Sequence, residues 1–154
     1  MISYFDTAYI LKCYVKEHGW ENVRDFAQKC ERITCSVYGR LELHAALHRK
    51  LREGELTERQ LNIILRQLSV DESMRLWEWL PLSSAIITAV TDTFISLTPD
   101  VFLRTGDAVH LISARMGGFK EIYSNDKRLL AAAPHVDMTG CDVIVPADLP
   151  GDAV

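Results

Sequence analysis

The stretch RTGDAVHLISARMGGFKEIYSND, residues 104–126, decides how the rest of the chain is interpreted. Its first half predicts a helix that is capped by Thr105 and ends at Gly117 and Gly118, where glycine supplies a left-handed helix end. The following apolar run, residues 119–123, predicts a strand. A helix followed by a strand is the repeating unit of an α/β sheet.

Two aspartates flank this unit. Asp107 lies just inside the predicted helix, and Asp126 comes directly after the predicted strand. In an α/β protein with right-handed connections, this order returns both carboxylates to the same edge of the sheet. Acids that meet at a sheet edge suggest a bound divalent metal, although each aspartate taken alone is better explained as a helix cap.

The remainder of the chain alternates predicted strands with predicted helices. Strands are predicted at residues 2–5, 33–35, 76–82 and 141–145, and helices at 7–16, 19–29, 37–52, from 57 onward, 84–97 and 126–133. The inward face of the helix at 84–97 is predicted to carry Ile86, Val90, Phe94 and Leu97. This pattern predicts one three-layer α/β domain over residues 1–154, in which helices flank a mostly parallel central sheet.

Composition limits the class of protein. With 154 residues and 48% apolar residues, the chain can bury an ordinary core without disulfides, and its four scattered cysteines predict reduced thiols. The net charge of −4 argues against a protein that grips nucleic acid over its whole surface, but not against a nuclease with an acidic metal pocket. Because no apolar run reaches roughly 18 residues and no secretory leader is recognisable, we expect a soluble cytoplasmic protein.

Two further acids join the pair. Asp6 directly follows the first predicted strand, so topology brings it to the same carboxyl edge of the sheet. Glu42 lies inside a helix, and its neighbours one turn away are Tyr38, Ala45 and Ala46, so a local ion pair does not explain it. Four carboxylates without a His/Cys set fit a hard cation such as Mg²⁺, which binds a few carboxylates and keeps waters and substrate phosphates. Such a cation can activate water and stabilise a phosphodiester during in-line displacement.

Four blocks of the sequence carry these acids in order. They are YFDTAYILKCYVKE at 4–17, CSVYGRLELHAALHRKLREGEL at 35–56, LRTGDAVHLISA at 103–114 and IYSNDKRLLAAA at 122–133. Together they resemble the PIN-domain ribonucleases, most closely the VapC-type toxins of bacterial toxin–antitoxin pairs. One departure is Ala8, where that family often has serine.

The resemblance implies a PIN-like domain and a Mg²⁺- or Mn²⁺-dependent endoribonuclease that cleaves structured RNA (tRNA, rRNA or mRNA). The catalytic and metal-binding residues it implies are Asp6, Glu42, Asp107 and Asp126. The same resemblance assigns supporting roles to Thr7, Lys12 and Ser124. It also implies a small cognate antitoxin that blocks the acidic pocket, and a homodimer formed through the helices around Glu42 and the following hairpin.

Other functions stay open. The chain could be a housekeeping RNA-processing nuclease, or a PIN-like module that binds RNA or protein without catalysis. A phosphatase of the haloacid dehalogenase kind would need a second aspartate two residues after Asp6, where this chain has Ala8.

Several residues suggest other sites. His44 and His48, four residues apart, could be a zinc pair, but HExxH and a third ligand are lacking, so we favour surface histidines. His110, three residues after Asp107, could orient its carboxylate, but we favour packing beside Leu111. Trp77 and Trp79 would share one face of a strand, and we favour a core or interface role over base stacking.

Overall fold

The computed structural model describes residues 1–146, and parallel strands form its centre. A three-stranded sheet contains β1 (Ile2–Tyr4), β2 (Arg32–Ser36) and β3 (Trp77–Leu80) in that order, and a two-stranded sheet contains β4 (Glu121–Tyr123) and β5 (Thr139–Cys141). All of these pairings are parallel. The last eight residues of the predicted domain, 147–154, lie outside the described residues.

The two sheets meet where β1 ends. Phe5 forms a parallel bridge with Tyr123. The backbone N–H of Phe5 donates to the carbonyl of Thr34 in β2, and that of Asp6 donates to the carbonyl of Tyr123 in β4, both at 3.0 Å. The end of β1 therefore lies between β2 and β4, and the carboxyl ends of all three strands open toward Asp6.

Seven α-helices of the described residues surround the strands. They are α1 (Thr7–Tyr14), α2 (Trp20–Ala27), α3 (Val37–Arg52), α4 (Glu58–Ser73), α5 (Ser84–Ser96), α6 (Thr105–Met116) and α7 (Lys127–Ala132), the last followed by a 3-10 turn at Ala133–Val136. Helix α6 packs against β2, α3 and α5, and every residue from Asp107 to Ala114 is buried. The prediction of an α/β domain with a mostly parallel sheet is confirmed. None of the helices described is long and apolar enough to cross a bilayer.

One apolar core joins the strands to the helices. Tyr4, Phe5 and Ile122 from the strands are fully buried, as are Leu43 of α3 and Leu111 of α6. Fully burying a large apolar side chain stabilises the fold by about 1.5–3 kcal/mol. Helices α3 and α6, which carry Glu42 and Asp107, are therefore anchored by their own buried apolar residues.

Two details of α5 and α6 differ from the sequence prediction. On α5 the buried stripe is Ile86, Val90 and Thr93, while Phe94 is 40% exposed, because it lies eight residues from Ile86 at the edge of the stripe. The N-cap of α6 is Arg104, and Thr105 is already helical. The left-handed residue after α6 is Gly118 alone, with φ of 86°.

The last strand also differs from the prediction. We expected it at residues 141–145, but β5 ends at Cys141. Gly140 at its centre lets β5 pass close to α7, since a Cβ there would lie 2.8 Å from the Leu130 side chain. Beyond Cys141 the backbone leaves the sheet, and the N–H of Val143 donates to the Tyr9 hydroxyl at 2.8 Å. A glycine has low strand propensity, so the apolar run after it was mistaken for the strand.

Candidate functional site

The four predicted acids line one open cavity at the carboxyl ends of the strands. Its volume is about 510 Å³, and its charged or polar lining also includes Thr7, Glu17, Arg49, Arg104 and His110. Each acid comes from a different segment: Asp6 caps α1, Glu42 lies on α3, Asp107 lies in the first turn of α6, and Asp126 caps α7. We call this space the acidic cavity.

Asp6 is the most deeply buried of the four acids, with 4% of its surface exposed. One carboxylate oxygen accepts the backbone N–H of Tyr9 at 2.9 Å, and the other accepts the hydroxyl of Ser124. Burial raises the pKa of Asp6 to about 6, although the Ser124 and Tyr9 hydrogen bonds and nearby His110 act in the opposite direction. The Ser124 hydroxyl oxygen also accepts the backbone N–H of Asp126 at 2.9 Å, so it joins the two aspartates.

Glu42 is held by two partners on one oxygen. Its Oε2 accepts the Thr7 hydroxyl at 2.6 Å and lies 2.7 Å from Nε2 of His110. Burial raises the pKa of Glu42, but the bonds from His110 and Thr7 outweigh it and leave the pKa below its ordinary value. Its Oε1 lies against Gly106, where an added Cβ would be 3.0 Å away. That oxygen therefore faces space that only a glycine leaves open.

His110 is buried, as its preferred interpretation required, and its ring contacts Glu42 and not Asp107. Burial alone lowers the pKa of His110, but the contact with the Glu42 carboxylate acts in the opposite direction and raises it. Since burial raises the pKa of the Cys35 thiol as well, that thiol is neutral, and the Glu42 carboxylate is the group that stabilises the imidazolium. Gly39 makes room for the ring, because a Cβ there would lie 2.8 Å from His110 Cε1 and 2.5 Å from Cys35 Sγ.

Asp107 and Asp126 share one guanidinium. Arg104 donates to both oxygens of Asp107, from Nε at 2.8 Å and from Nη2 at 3.2 Å, and Nη2 also donates to Oδ2 of Asp126. The other Asp126 oxygen accepts the backbone N–H groups of Arg128 and Leu129. Burial raises the pKa of Asp126, but these amides and Arg104 together hold it below its ordinary value.

The sequence prediction missed Arg104, and its expectation for Lys12 is changed by the structure. Arg104 opens the quoted stretch three residues before Asp107, and that spacing at a helix start was the available signal. Lys12 is buried, and its ammonium contacts Glu17 at 3.3 Å rather than one of the four acids. Glu17 lines the acidic cavity and also pairs with Lys50 at 2.6 Å.

The other suggested sites are absent or structural. His44 and His48 are exposed, and His44 contacts the Arg40 carbonyl at 2.8 Å, as expected for surface histidines. Trp77 is buried, and its ring stacks beside that of Trp79 at a centroid distance of 6.4 Å. The indole N–H of Trp77 donates to Tyr14, so the tryptophan serves the core.

The chemistry of the donor set fits a hard divalent cation, because all four acids offer carboxylate oxygens. In the structure, the guanidinium of Arg104 is paired with two of the four carboxylates. With the side chains in these positions, no three or more His, Cys, Asp or Glu side chains of residues 1–146 are grouped closely enough to hold a metal ion, so a metal would require the four acids to draw together. Arg104 forms ion pairs with the oxygens of Asp107 and Asp126 that a metal would need.

No family model matches the chain, and no curated protein matches it either. Solved structures do match. The crystal structure of FitAcB from Neisseria gonorrhoeae is 15% identical with a TM-score of 0.71, over 93% of this chain and 98% of that chain. A structure of FitAB bound to an IR36 DNA fragment is 12% identical with a TM-score of 0.68, over 96% and 98%.

A third match is VapBC2 from Rickettsia felis bound to a DNA fragment from their promoter, at 13% identity and a TM-score of 0.63, over 92% of this chain and 98% of that chain. The chain has a PIN-like fold. At 12–15% identity this similarity shows the fold alone, and the resemblance to VapC-type PIN domains that the four sequence blocks indicated is confirmed at that level.

Proposed function

We propose that this protein is a divalent-metal-dependent endoribonuclease and the toxin of a type II toxin–antitoxin pair. The observation that carries the proposal is the acidic cavity: four carboxylates from four separate segments line one cavity at the carboxyl ends of parallel strands. Such an edge is where α/β folds keep their ligand sites. The fold it shares with the FitAB and VapBC structures supports the toxin assignment.

Asp6, Glu42, Asp107 and Asp126 would hold the metal, Mg²⁺ or Mn²⁺. When bound, the cation would supply Lewis acidity that activates water and neutralises charge on the phosphodiester. The chain itself orients the carboxylates: Ser124 fixes Asp6, while Thr7 and His110 fix one oxygen of Glu42 and leave its Oε1 free. Cleavage by water leaves a 5′-phosphate and a 3′-hydroxyl.

The rim of the cavity suits an RNA backbone. Arg49 and Arg104 line the cavity beside the acids, and a guanidinium binds phosphate oxygens in a bidentate manner. Helix α3 supplies Ala45 and Ala46 to the same wall, and these leave room for a strand of RNA. We propose a single-stranded or loop region of a structured RNA as the substrate, because only there can the backbone enter such a cavity.

Two protein partners belong to this proposal. A small cognate antitoxin would cover the acidic cavity, and a second copy of the chain would pack on α3 and α4. Exposed apolar side chains on these helices support the second point, with Leu41 65% exposed, Ile63 56% and Val70 47%. Light scattering of the purified chain should give the mass of a dimer, and Leu41→Glu should give the mass of a monomer; a wild-type monomer would contradict the dimer.

A non-catalytic PIN-like binding module is the second candidate. The observation in its favour is the pair of Arg104 ion pairs, which engage two of the four carboxylates. Metal binding separates the two candidates. Calorimetry that detects no Mn²⁺ binding would favour the module.

Induced expression followed by mapping of new RNA 5′ ends tests the proposed function. We expect new 5′-phosphate ends and impaired growth with the wild-type chain, and neither with Asp107→Asn. The exposed Asp92→Asn on α5 is the matched control and should behave as wild type. Unchanged RNA ends with the wild-type chain would contradict a nuclease. New ends without impaired growth would indicate a housekeeping RNA-processing nuclease.

A further inference from the structure

Arg104 makes an unusual set of contacts for a residue at the start of a helix. It is the N-cap of α6 and has extended backbone angles, but its side chain makes no capping bond. Its guanidinium donates only to the carboxylates of Asp107 and Asp126 among the described residues. The side chain is 49% exposed, so little packing holds it in this position.

Arg104 donates to carboxylate oxygens that have no other donor among the described residues. Asp126 gives one oxygen to the backbone amides at the start of α7, and Arg104 takes the other. Asp107 is buried, and in the described part of the chain both of its oxygens are bonded by Arg104 alone. Without a cation there, two carboxylates would face each other with charge uncompensated, which is costly in a partly buried site.

A metal held by the same aspartates needs these same oxygens. Mg²⁺ and Mn²⁺ are bound through carboxylate oxygens, and a guanidinium bonded to those oxygens blocks their approach. Since Arg104 is tethered only three residues before Asp107, a displaced guanidinium stays at the cavity wall. There it lies on the same rim as Arg49.

We propose that Arg104 is an exchangeable internal cation: it neutralises Asp107 and Asp126 when the site lacks metal, and it leaves them for the phosphate of the substrate when metal binds. This inference rests on the proposed function, because it assumes that the aspartates bind metal. Metal and phosphate binding would then favour each other. A bound metal releases Arg104 for the phosphate, and a bound phosphate keeps Arg104 away from the aspartates that the metal needs.

The test measures Mn²⁺ affinity by calorimetry, without RNA, for the wild-type chain, Arg104→Gln and Arg49→Gln. Arg49→Gln removes a positive charge from the same cavity wall without removing a carboxylate ion pair seen among the described residues. We expect Arg104→Gln to bind Mn²⁺ about tenfold or more tightly than wild type, the scale of coupling between competing ligands. Arg49→Gln should stay within about twofold of wild type, because only bulk electrostatics change.

Thermal unfolding gives a second readout that does not depend on activity. Arg104→Gln should melt below wild type without metal, because Asp107 loses its partner, and should gain more melting temperature than wild type from saturating Mn²⁺. Arg104→Lys keeps the charge and should fall between the two. With a fluorescent single-stranded RNA and Ca²⁺, Arg104→Gln should bind RNA more weakly than wild type.

The outcomes distinguish this inference from the proposed function. Equal Mn²⁺ affinity in wild type and Arg104→Gln, with both binding, would overturn the exchange while leaving the nuclease proposal intact. Tighter RNA binding by Arg104→Gln would overturn the role in phosphate binding. If no variant binds Mn²⁺, the proposed function fails, and the exchange fails with it.

Discussion

Two regions of the molecule contain paired carboxylates, and they are compensated in opposite ways. One is the acidic cavity. The other, here called the α4 cluster, comprises Asp71 and Glu72 at the end of α4 with their partners Tyr14, Arg40, Gln67, Trp77 and Trp79. Asp71 lines a cavity of about 530 Å³, so cavity volume does not distinguish the two regions.

In the α4 cluster each carboxylate has its own donors. Asp71 accepts the Tyr14 hydroxyl at 2.6 Å and the Gln67 amide at 2.8 Å, and Glu72 accepts Arg40 at 2.7 Å and the Trp79 indole at 2.8 Å. These bonds tie α4 to α1, α3 and β3. They stabilise the fold, and no donor is shared between the two carboxylates.

In the acidic cavity the carboxylates share their partners. Arg104 serves both Asp107 and Asp126, and Asp6 remains buried with a raised pKa. This arrangement costs stability in the free protein, and a bound divalent cation would relieve that cost. Shared, incomplete compensation therefore distinguishes the acidic cavity, which we propose as the functional site, from the α4 cluster better than the number of carboxylates does.

The largest expected effect is on catalysis. Asp107→Asn should lower RNA cleavage on the order of a thousand-fold, because a lost metal ligand removes several kcal/mol of transition-state stabilisation. Asp71→Asn in the α4 cluster should leave cleavage within about twofold and instead cost about 1–3 kcal/mol of stability through a lost buried hydrogen bond. Single-turnover rates and urea unfolding of both variants check this; equal loss of cleavage in both would erase the distinction.

The second effect concerns pH and Asp6. Its pKa is about 6 in the folded protein against 3.8 in the unfolded chain, so the folded state holds the proton more tightly. This contribution is fully present below about pH 4 and is lost as pH rises through 6, by up to about 3 kcal/mol. Asp6→Asn should therefore gain stability relative to wild type between pH 4 and pH 7, measured by urea unfolding with EDTA present. A constant difference across that range would contradict the raised pKa.

The third effect tests the space that Gly39 leaves for the His110 ring. Gly39→Ala places a Cβ against Cys35 and His110 and should cost about 1–3 kcal/mol of stability, with the His110 contact to Glu42 disturbed. Gly106→Ala meets only the free oxygen of Glu42 and the Tyr38 ring, so it should reduce cleavage with a much smaller loss of stability. Equal stability losses in the two variants would show that Gly39 is not specially constrained.

The smallest effect is in the α4 cluster. The Arg40 and Trp79 bonds keep the pKa of Glu72 below its ordinary value even though burial raises it. Its contribution is therefore present above about pH 4.5 and lost as pH falls through the folded pKa. Glu72→Gln should cost only about 0.5–1 kcal/mol at pH 7, since the pair is partly exposed, and urea unfolding should show this difference shrinking as pH falls below 4.5. As pH rises, Glu72→Gln should lose stability relative to wild type, whereas Asp6→Asn should gain it. A change in the same direction for both variants would refute the comparison.

The order of elements could be predicted from the sequence because it depends on local patterns. Strand and helix periodicities located the alternating units, and Asp6 and Asp126 cap their helices as expected. The position of β5 could not be found in this way. Gly140 fits there because β5 passes close to Leu130, a tertiary contact that strand propensity does not reveal. The exposed position of Phe94 likewise depends on how α5 packs against α6.

The acids of the site could be listed from the sequence, but their partners could not. Glu42 and His110 are 68 positions apart, and no local pattern pairs them. Topology predicted that Asp107 and Asp126 would approach each other, but a guanidinium between them depends on side-chain geometry that spacing alone does not reveal. Gly39 was overlooked for the same reason, since its neighbours come from β2, α1 and α6.

The most direct test of the central claim is the metal dependence of RNA cleavage by the purified chain. A single-stranded RNA should be cut with Mg²⁺ or Mn²⁺ to give 5′-phosphate ends, and EDTA or Asp107→Asn should abolish the cut while the circular dichroism spectrum is unchanged. Cleavage that persists in EDTA, or in a folded Asp107→Asn variant at the wild-type rate, would contradict the assignment of the acidic cavity as a metal-dependent nuclease site.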